Sequence, residues 1–448
     1  MKYIRQIRRA KHWLLELIPN NKSALTSIFV SLKYRNYRLY LTGQIVSLIG
    51  TSMQQIALSW LIYRITGSII LLGTVAFLTQ IPSLFVSPLM GVANDRFDRR
   101  KLLILTQSLS MIQAFVMAIL VLTNTIQVVH ILILSLVLGF INSLDAPVRQ
   151  AFYTKLVPAK ALGNAIALNS ATFNCTKLIG PTIGGLLIAW VGEGICFLIN
   201  GISFFGVMIA LLKIHTSKHM RNTTSDNIWN EIKEGFQYSI GFLPIRSILI
   251  FTAMLSLTAM PFPIMLPAFV KSDLGGGSEL YGYFIAATGI GSLIATLYLA
   301  ARKSVLGLAK VVMFACGMQG VALIIFSLTH TEWISMIVCF FIGFSSISCL
   351  ASCNTLIQSL TDDDKRGRVM SYYTMSFLGF TPVGCLLQGY LADRIGLHAV
   401  FLICGVIVML TSIVFGYYRP IIRKASRPIY VRKGMITEIA LGLQASKD

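Results

Sequence analysis

The chain has 448 residues, of which 55% are hydrophobic and only 12% are charged, whereas an ordinary soluble domain is about 25% charged. Lys and Arg number 38 against 17 Asp and Glu, which gives a formal net charge of +21. This composition excludes a disordered or fibrous chain. It also disfavours a soluble enzyme, because so few charges could not cover a water-exposed surface.

Twelve predominantly apolar runs divide most of the chain. A helix needs about 20 such residues to cross the hydrocarbon core of a membrane. Residues 131–140 are almost wholly apolar, whereas the strands of a membrane β-barrel alternate between apolar and polar. The sequence therefore predicts an all-α integral membrane protein with twelve transmembrane helices. The predicted spans lie near 39–63, 68–93, 102–123, 128–146, 164–190, 194–213, 247–270, 279–301, 308–328, 333–359, 368–392 and 397–418.

Polar segments precede, divide and follow these spans. In the N-terminal arm, Ile4, Ile7 and Leu14 share one helical face, which is typical of a helix lying on anionic lipid, although a solvated basic arm fits equally well. An apolar stripe between Trp229 and Leu243 predicts an amphipathic helix along the cytoplasmic face. The predicted units are the basic arm 1–38, a six-helix bundle 39–213, the linker 214–246, a second six-helix bundle 247–418 and a basic tail 419–448.

The distribution of charge predicts the orientation. Twelve spans place both termini on one side, and if that side is the cytoplasm, the outer loops contain only the cations Arg64, Lys271 and Arg394. Lys177 falls within a span, and all other Lys and Arg lie inside. This is a strong positive-inside bias, so we expect both termini in the cytoplasm and membrane lipid as a partner.

Few residues suggest metal binding or catalysis. All eight cysteines fall inside predicted spans, and the pair Cys349 and Cys353 has no nearby His or carboxylate, so small-residue packing is the favoured interpretation. We expect no metal site and no cofactor. No zinc-protease, phosphate-loop or nucleophile–base pattern indicates an enzyme. The basic charge is split among short loops beside spans, which disfavours a nucleic-acid partner.

An internal repeat relates the two halves of the chain. After a shift of 204 residues, the segment 156–201 aligns without a gap to 360–405, with eleven identical residues that include five glycines. The shift places the fifth and sixth spans on the eleventh and twelfth in the same orientation. Two parallel six-helix halves related by an axis along the membrane normal are the architecture of one large transporter class.

A charged motif lies between the second and third spans, with the pattern Gly-x-x-x-Asp-Arg-x-x-Arg-Arg-Lys. A carboxylate among cations can hold neighbouring helix ends through ion pairs and helix-dipole contacts. A plain topology-determining cluster of cations is the alternative. The pattern resembles the signature loop of the major facilitator superfamily, where it implies a gate that stabilises the outward-open state. The gate residues would be Gly91, Asp95, Arg96, Arg99 and Arg100, and the resemblance implies that Asp95 faces the start of the eleventh span.

Two further motifs narrow the resemblance. The segment Asp-Ala-Pro-Val-Arg-Gln at 145–150 and Gly-Pro-x-x-Gly-Gly at 180–185 resemble the drug:proton antiporter branch that includes enterobactin exporters and macrolide efflux proteins. The likeness extends over about 33–418. It implies a monomeric transporter in a bacterial inner membrane, with Asp145 and Arg149 in the gate and Arg149 as a partner for Asp95. Gly180 and Pro181 would allow a bend and tight packing.

Polar side chains within the spans suggest a central cavity. Lys177 lies about 20 Å into its helix, where an ionisable residue is a candidate functional site. It could contact an anionic or carbonyl-rich substrate, or serve as a structural cation. In the superfamily, spans 1, 4, 7 and 10 line the central path, although Ser and Thr can instead bond to the preceding turn. The candidate cavity residues are Lys177, Asn174, Gln44, Thr51, Gln55, Asn142, Ser345 and Ser352.

Energy coupling has few candidate residues, because the acidic residues avoid the middle of every span. Asp145 is the best candidate proton carrier, and a structural ion pair with Arg149 is the alternative. The resemblance implies proton-coupled export of a small organic molecule such as a siderophore or amphiphilic drug. Lys177 motivates a second hypothesis, an importer or facilitator of an anionic metabolite or metal–siderophore complex.

We expect Lys177→Ala to abolish or redirect transport while the protein stays folded and inserted, because the substitution removes the charge at mid-membrane. Transport in vesicles and size-exclusion elution of the purified variant measure the two effects. Lys213→Ala, at the inner end of the sixth span, is the control. Wild-type transport by Lys177→Ala would remove this residue from the substrate site.

Overall fold

The structure is a computed structural model that describes residues 30–93, 98–214, 236–302, 305–362 and 365–432. It is all-helical in these ranges, in agreement with the predicted fold class. Eleven helices within them are long and apolar enough to cross a membrane. The predicted fifth span lies in a continuous helix of 33 residues.

Six long helices form the first half. Their boundaries lie close to those of the predicted spans, because charges, Gly and Pro interrupt the apolar runs at these points. A short 3₁₀-helix, Val30–Lys33, precedes the first helix, and another, Thr154–Leu156, follows the fourth. The helices are α1 (Arg35–Thr66), α2 (Ile69–Ala93), α3 (Arg99–Leu122), α4 (Val128–Tyr153), α5 (Ala159–Val191) and α6 (Glu193–Lys213).

Two spans of the second half are interrupted. The seventh consists of α7, α8 and a π-helical turn, Phe269–Asp273, and the break before α8 coincides with Pro261, which lacks an amide donor. The eleventh consists of α12 and α13, which are separated by Gly379. The helices are α7 (Leu243–Thr258), α8 (Phe262–Ala268), α9 (Ser278–Ala300), α10 (Leu308–Leu328), α11 (Glu332–Leu360), α12 (Arg366–Leu378), α13 (Phe380–Ile395) and α14 (Leu397–Arg432).

The last helix extends beyond the predicted membrane span. The sequence predicts an end near residue 418, but α14 continues to Arg432 through Pro420 and Pro428. The first part of the predicted basic tail is therefore helical. The predicted N-terminal interfacial helix and residues 229–235 of the linker stripe lie outside the described residues. Residues 236–241 of the stripe are helical, with Phe236 and Ile240 exposed.

Hydrogen-bonded amides join three helices inside the first half. Gln54 of α1 donates its Nε2 to Oε1 of Gln113 in α3 at 2.9 Å. Asn200 of α6 donates its Nδ2 to Oε1 of Gln54 at 2.5 Å. All three residues are buried. Because unpaired polar groups are costly in a membrane interior, this network fixes the relative positions of α1, α3 and α6.

Glycines bring the two halves into backbone contact. A Cβ atom on Gly185 of α5 would overlap the Cα of Gly282 in α9, and one on Gly73 of α2 would overlap the carbonyl oxygen of Cys385 in α13. Nearby, the rings of Trp60 and Tyr281 stack with centroids 5.8 Å apart. These contacts lie towards one end of the bundle, where α1 and α5 end and α9 begins. The predicted orientation makes this the outer end.

We expect Gly185→Ala to lower the free energy of unfolding by about 1–3 kcal/mol, because the added methyl group forces the backbones of α5 and α9 apart. Gly163→Ala is the matched control on the same helix, since nothing lies within 4 Å of its Cβ position. Thermal unfolding of the purified protein measures both. Equal unfolding temperatures for the two variants would show that the α5–α9 contact is not tight.

Candidate functional site

A buried carboxylate lies at the end of the first half that the predicted orientation places on the cytoplasmic side. Asp145 of α4 is only 6% exposed. Its Oδ1 accepts hydrogen bonds from Thr106 Oγ1 and Gln107 Nε2 of α3, both at 2.8 Å. Its Oδ2 lies 3.5 Å from Nε of Arg149, one helical turn further along α4. Two helices thus provide three polar partners for one carboxylate, which compensates for its removal from water.

The cluster has one side towards solvent. The side chain of Arg149 is 26% exposed, against 8% for that of Asp145. On the buried side, the ring of Tyr40 stacks on Tyr153 with centroids 6.3 Å apart. The Tyr40 hydroxyl has no hydrogen-bond partner among the described residues. This arrangement can hold a negative charge beside Arg149 or, after protonation of Asp145, release the guanidinium.

The described part of the charged motif holds helix ends together. Asp98 caps α3 by accepting a hydrogen bond from the Arg100 amide at 2.9 Å. Arg99 donates to the carbonyl oxygen of Ala151 at 3.2 Å, near the end of α4. Arg100 donates to the carbonyl oxygens of Leu211 and Leu212, at the end of α6. Cations here satisfy free carbonyl groups and complement the negative helix ends.

The rest of this motif is only partly described. Gly91 lies in the last turn of α2. Asp95 and Arg96 lie outside the described residues, so the predicted contacts of Asp95 with the eleventh span and with Arg149 stay predictions. Within the described cluster, Arg149 pairs with Asp145 on its own helix.

The Gly-Pro motif lies where α5 packs on α1. A Cβ on Gly180 would approach the side chain of Ser52 at 2.6 Å and the carbonyl oxygen of Ile49 at 2.9 Å. Gly184 similarly faces Met53. Pro181 is within the helix, which continues to Val191. The glycines therefore permit α5 to approach α1 closely, which is the tight packing that the sequence predicted for this motif.

The predicted cavity residues of the first half differ in exposure. Gln44 is 2% exposed and therefore buried. Thr51 is intermediate, whereas Gln55 and Asn142 are exposed. Asn174 and Lys177 lie within α5, but their side chains are outside the described part of the structure. Their assignment to the cavity remains a prediction.

The serines of the tenth span lie inside the second half. Ser345 is buried and donates to the carbonyl oxygen of Ile342 at 3.0 Å. Ser352 lines a small cavity of about 130 Å³ together with Leu299 and Leu308, which belong to α9 and α10. The bond of Ser345 to the preceding turn fits the alternative that the sequence left open, and the assignment of both serines to the central cavity stays a prediction.

Polar contacts also join helices at the end of the bundle that the predicted orientation places outside. Arg64, at the end of α1, pairs with Glu193 at the start of α6 at 2.7 Å. Asp273 lies 3.2 Å from Nε2 of His398. Lys271 reaches across the halves, with its Nζ 3.5 Å from the carbonyl oxygen of Arg64. These contacts join neighbouring helices and, through Lys271, the two halves.

The sequence analysis did not identify several residues of these hydrogen-bond networks as candidates. Gln54, Gln113 and Asn200 join three helices, and Thr106 and Gln107 hold Asp145. The glutamines and the asparagine could have been identified from the sequence, because an amide side chain within an apolar span needs a hydrogen-bond partner. Among the described residues, no group of three or more His, Cys, Asp or Glu side chains could hold a metal ion.

A family profile matches almost the whole chain. The profile, described as transmembrane secretion effector and belonging to the major facilitator type, matches residues 26–430. The chain belongs to this family.

Named relatives in the family are transporters. The staphyloferrin A transporter of Staphylococcus aureus is 25% identical over 380 residues, covering 84% of this chain and 95% of that protein. The multidrug efflux pump Tap of Mycolicibacterium fortuitum is also 25% identical, with coverages of 85% and 95%. Macrolide efflux protein A of Streptococcus pyogenes is 23% identical, with coverages of 85% and 96%. These matches confirm the resemblance to drug and siderophore transporters.

Solved structures share the fold. A bacterial homologue of the iron transporter ferroportin in an inward-facing state has a TM-score of 0.67 at 16% identity, covering 86% of this chain and 98% of that chain. The nucleoside transporter NupG also has a TM-score of 0.67, at 12% identity, with coverages of 85% and 98%. Together with the apolar helices, these comparisons establish a multi-pass membrane transporter of the major facilitator fold.

Proposed function

We propose that this transporter exports a small organic molecule from the cytoplasm by alternating access, driven by proton entry. The observation that carries the proposal is the contact of the two halves at Gly185–Gly282 and Gly73–Cys385. In the positive-inside orientation these contacts close the outer end. An exporter in that state takes up its cargo from the cytoplasmic side.

The exposed polar side chains support a water-filled path on the inner side of this closure. Gln55 and Asn142 are exposed in the middle and inner parts of apolar helices. Facing lipid would leave their amides without partners, so a hydrated path between the halves is the favourable environment. Lys177, at a similar depth in α5, would attract an anionic or carbonyl-rich cargo.

Asp145 supports proton coupling. In the ionised state its carboxylate accepts from Thr106 and Gln107 and pairs with Arg149, so α3 and α4 are held together. Protonation removes the charge that attracts Arg149 and weakens the charge-assisted hydrogen bonds. The inner ends of α3 and α4, which also carry the Arg99 and Arg100 contacts, could then rearrange. Proton binding at this position would thereby favour one conformation over the other.

The names of the relatives suggest which cargoes to test first. Staphyloferrin A and a macrolide represent the two kinds of cargo that these names give. Lys177 would favour an anionic cargo over one without negative charge. Selection between these classes should therefore depend on the charge of the cargo.

Asp145→Asn is expected to abolish transport driven by a pH gradient while exchange of cargo for cargo continues, because the amide keeps the hydrogen-bonding shape but cannot carry a proton. Proteoliposomes with an imposed pH gradient, and counterflow in the same vesicles, measure the two activities. Glu193→Gln, which removes the carboxylate of the outer ion pair, is the control and should retain pH-driven transport.

Full pH-driven transport by Asp145→Asn would show that this residue does not carry the coupled proton. A deletion strain tests direction, because export predicts loss of secretion of the cargo. Loss of uptake instead would support the importer suggested by Lys177. Cargo movement only down its own gradient would contradict coupling.

A further inference from the structure

A large cavity lies at the inner end of the second half, away from the contact between the halves. Its volume is about 680 Å³, which is in the range of small-molecule sites. Its walls come from the loop before α10, the start of α10, the end of α11 and the part of α14 from Phe415 to Tyr430. The helical extension beyond residue 418 therefore forms one whole wall.

Four cations line this cavity. Arg419, Arg423 and Arg427 follow one another at intervals of four on α14, so they share one face of the helix. Lys310 contributes a fourth cation from the first turn of α10. No acidic side chain is present among the described residues that line the cavity. The local excess of positive charge is therefore concentrated in a concave site.

The nearby acid Asp362 has other partners. Its carboxylate pairs with Arg432, at the end of α14, and accepts a hydrogen bond from the Tyr238 hydroxyl at 3.3 Å. The Arg432 contact also ties the end of α14 to the segment that follows α11. This tie keeps the three arginines over the cavity.

The remaining wall is apolar. Leu356 and Phe415 are buried, and so is Ile422 on the same helix face as the arginines. Ile248 of α7 completes this surface. The cations lie above the apolar side chains at the level where α14 passes the predicted end of its span. This arrangement matches the boundary between the headgroups and the hydrocarbon of a membrane.

We infer that this cavity binds an anionic phospholipid of the cytoplasmic leaflet, with its headgroup phosphate against Arg419, Arg423 and Lys310 and an acyl chain along Leu356 and Phe415. Arginine is well suited to phosphate because its planar fork can form two parallel hydrogen bonds. Basic pockets on the cytoplasmic side of membrane helices bind such headgroups. A soluble anion would use the cations but gain nothing from the apolar wall.

The test compares two double variants of the full-length purified protein. Arg419→Gln with Arg423→Gln removes two cavity cations. Lys101→Gln with Lys424→Gln is the matched control, since both lysines are exposed and neither lines the cavity. Native mass spectrometry of delipidated protein titrated with phosphatidylglycerol, and separately with phosphatidylcholine, gives the dissociation constant of the first bound lipid.

A cation near the membrane surface changes anionic-lipid binding by about fivefold, so the cavity variant should bind phosphatidylglycerol roughly 25- to 30-fold more weakly. The control should bind within about threefold of the wild type, and phosphatidylcholine should bind all forms weakly. Arg419→Lys with Arg423→Lys should recover most of the affinity, which separates loss of charge from misfolding. Unchanged elution and unfolding temperature of each variant verify the fold.

Equal weakening by both double variants would overturn the inference, because it would indicate general attraction to the basic inner surface. Equal affinity for the two lipids would overturn it as well. Complete displacement of phosphatidylglycerol by millimolar glycerol phosphate would assign the cavity to a soluble anion. None of these results depends on the direction or coupling of transport.

Discussion

The close approach of the two halves at small residues is the constraint on which the rest of the structure depends. Gly185 meets Gly282, and Gly73 meets Cys385, with no space for a further methyl group. In a membrane, where burial of apolar surface gives little driving force between helices, such van der Waals contact is a main source of helix association. Because these contacts join α5 to α9 and α2 to α13 near one end of the bundle, they determine, in our proposal, which end of the path is closed.

Alternating access also requires that each half move as a unit, and the buried polar networks provide that rigidity. Gln54, Gln113 and Asn200 fix three helices of the first half through hydrogen bonds that would be costly to leave unpaired. Asp145 differs from this network, because its partners include the charged Arg149 as well as the neutral side chains of Thr106 and Gln107. In our proposal, a proton on Asp145 breaks the ion pair, and the rigid network transmits this change to the contact between the halves.

Much of the fold followed from the sequence, because apolar length and positive loops are imposed by the membrane itself. The breaks after Thr258 and at Gly379 and the extension of α14 to Arg432 were not predicted, since local proline and glycine effects and tertiary contacts determine them. The motifs identified Asp145, Arg149 and Gly180 as candidates, but could not show which partners surround them. Spacing also assigned Ser345 and Ser352 to the path, but it could not show that Ser345 bonds to the preceding turn of α11 or that Ser352 lines a small cavity beside α9 and α10.

The central claim, that the contact between the halves at the outer end opens during turnover, can be measured with two spin labels. Ile65→Cys and Lys271→Cys place them on opposite halves near the Lys271–Arg64 contact, in a Cys175→Ser background because Cys175 is exposed whereas the other seven cysteines are buried. Electron–electron double resonance in proteoliposomes should give one short distance at rest. A second, longer distance should appear when cargo and a pH gradient are supplied. A single unchanged short distance during measured transport would contradict the account.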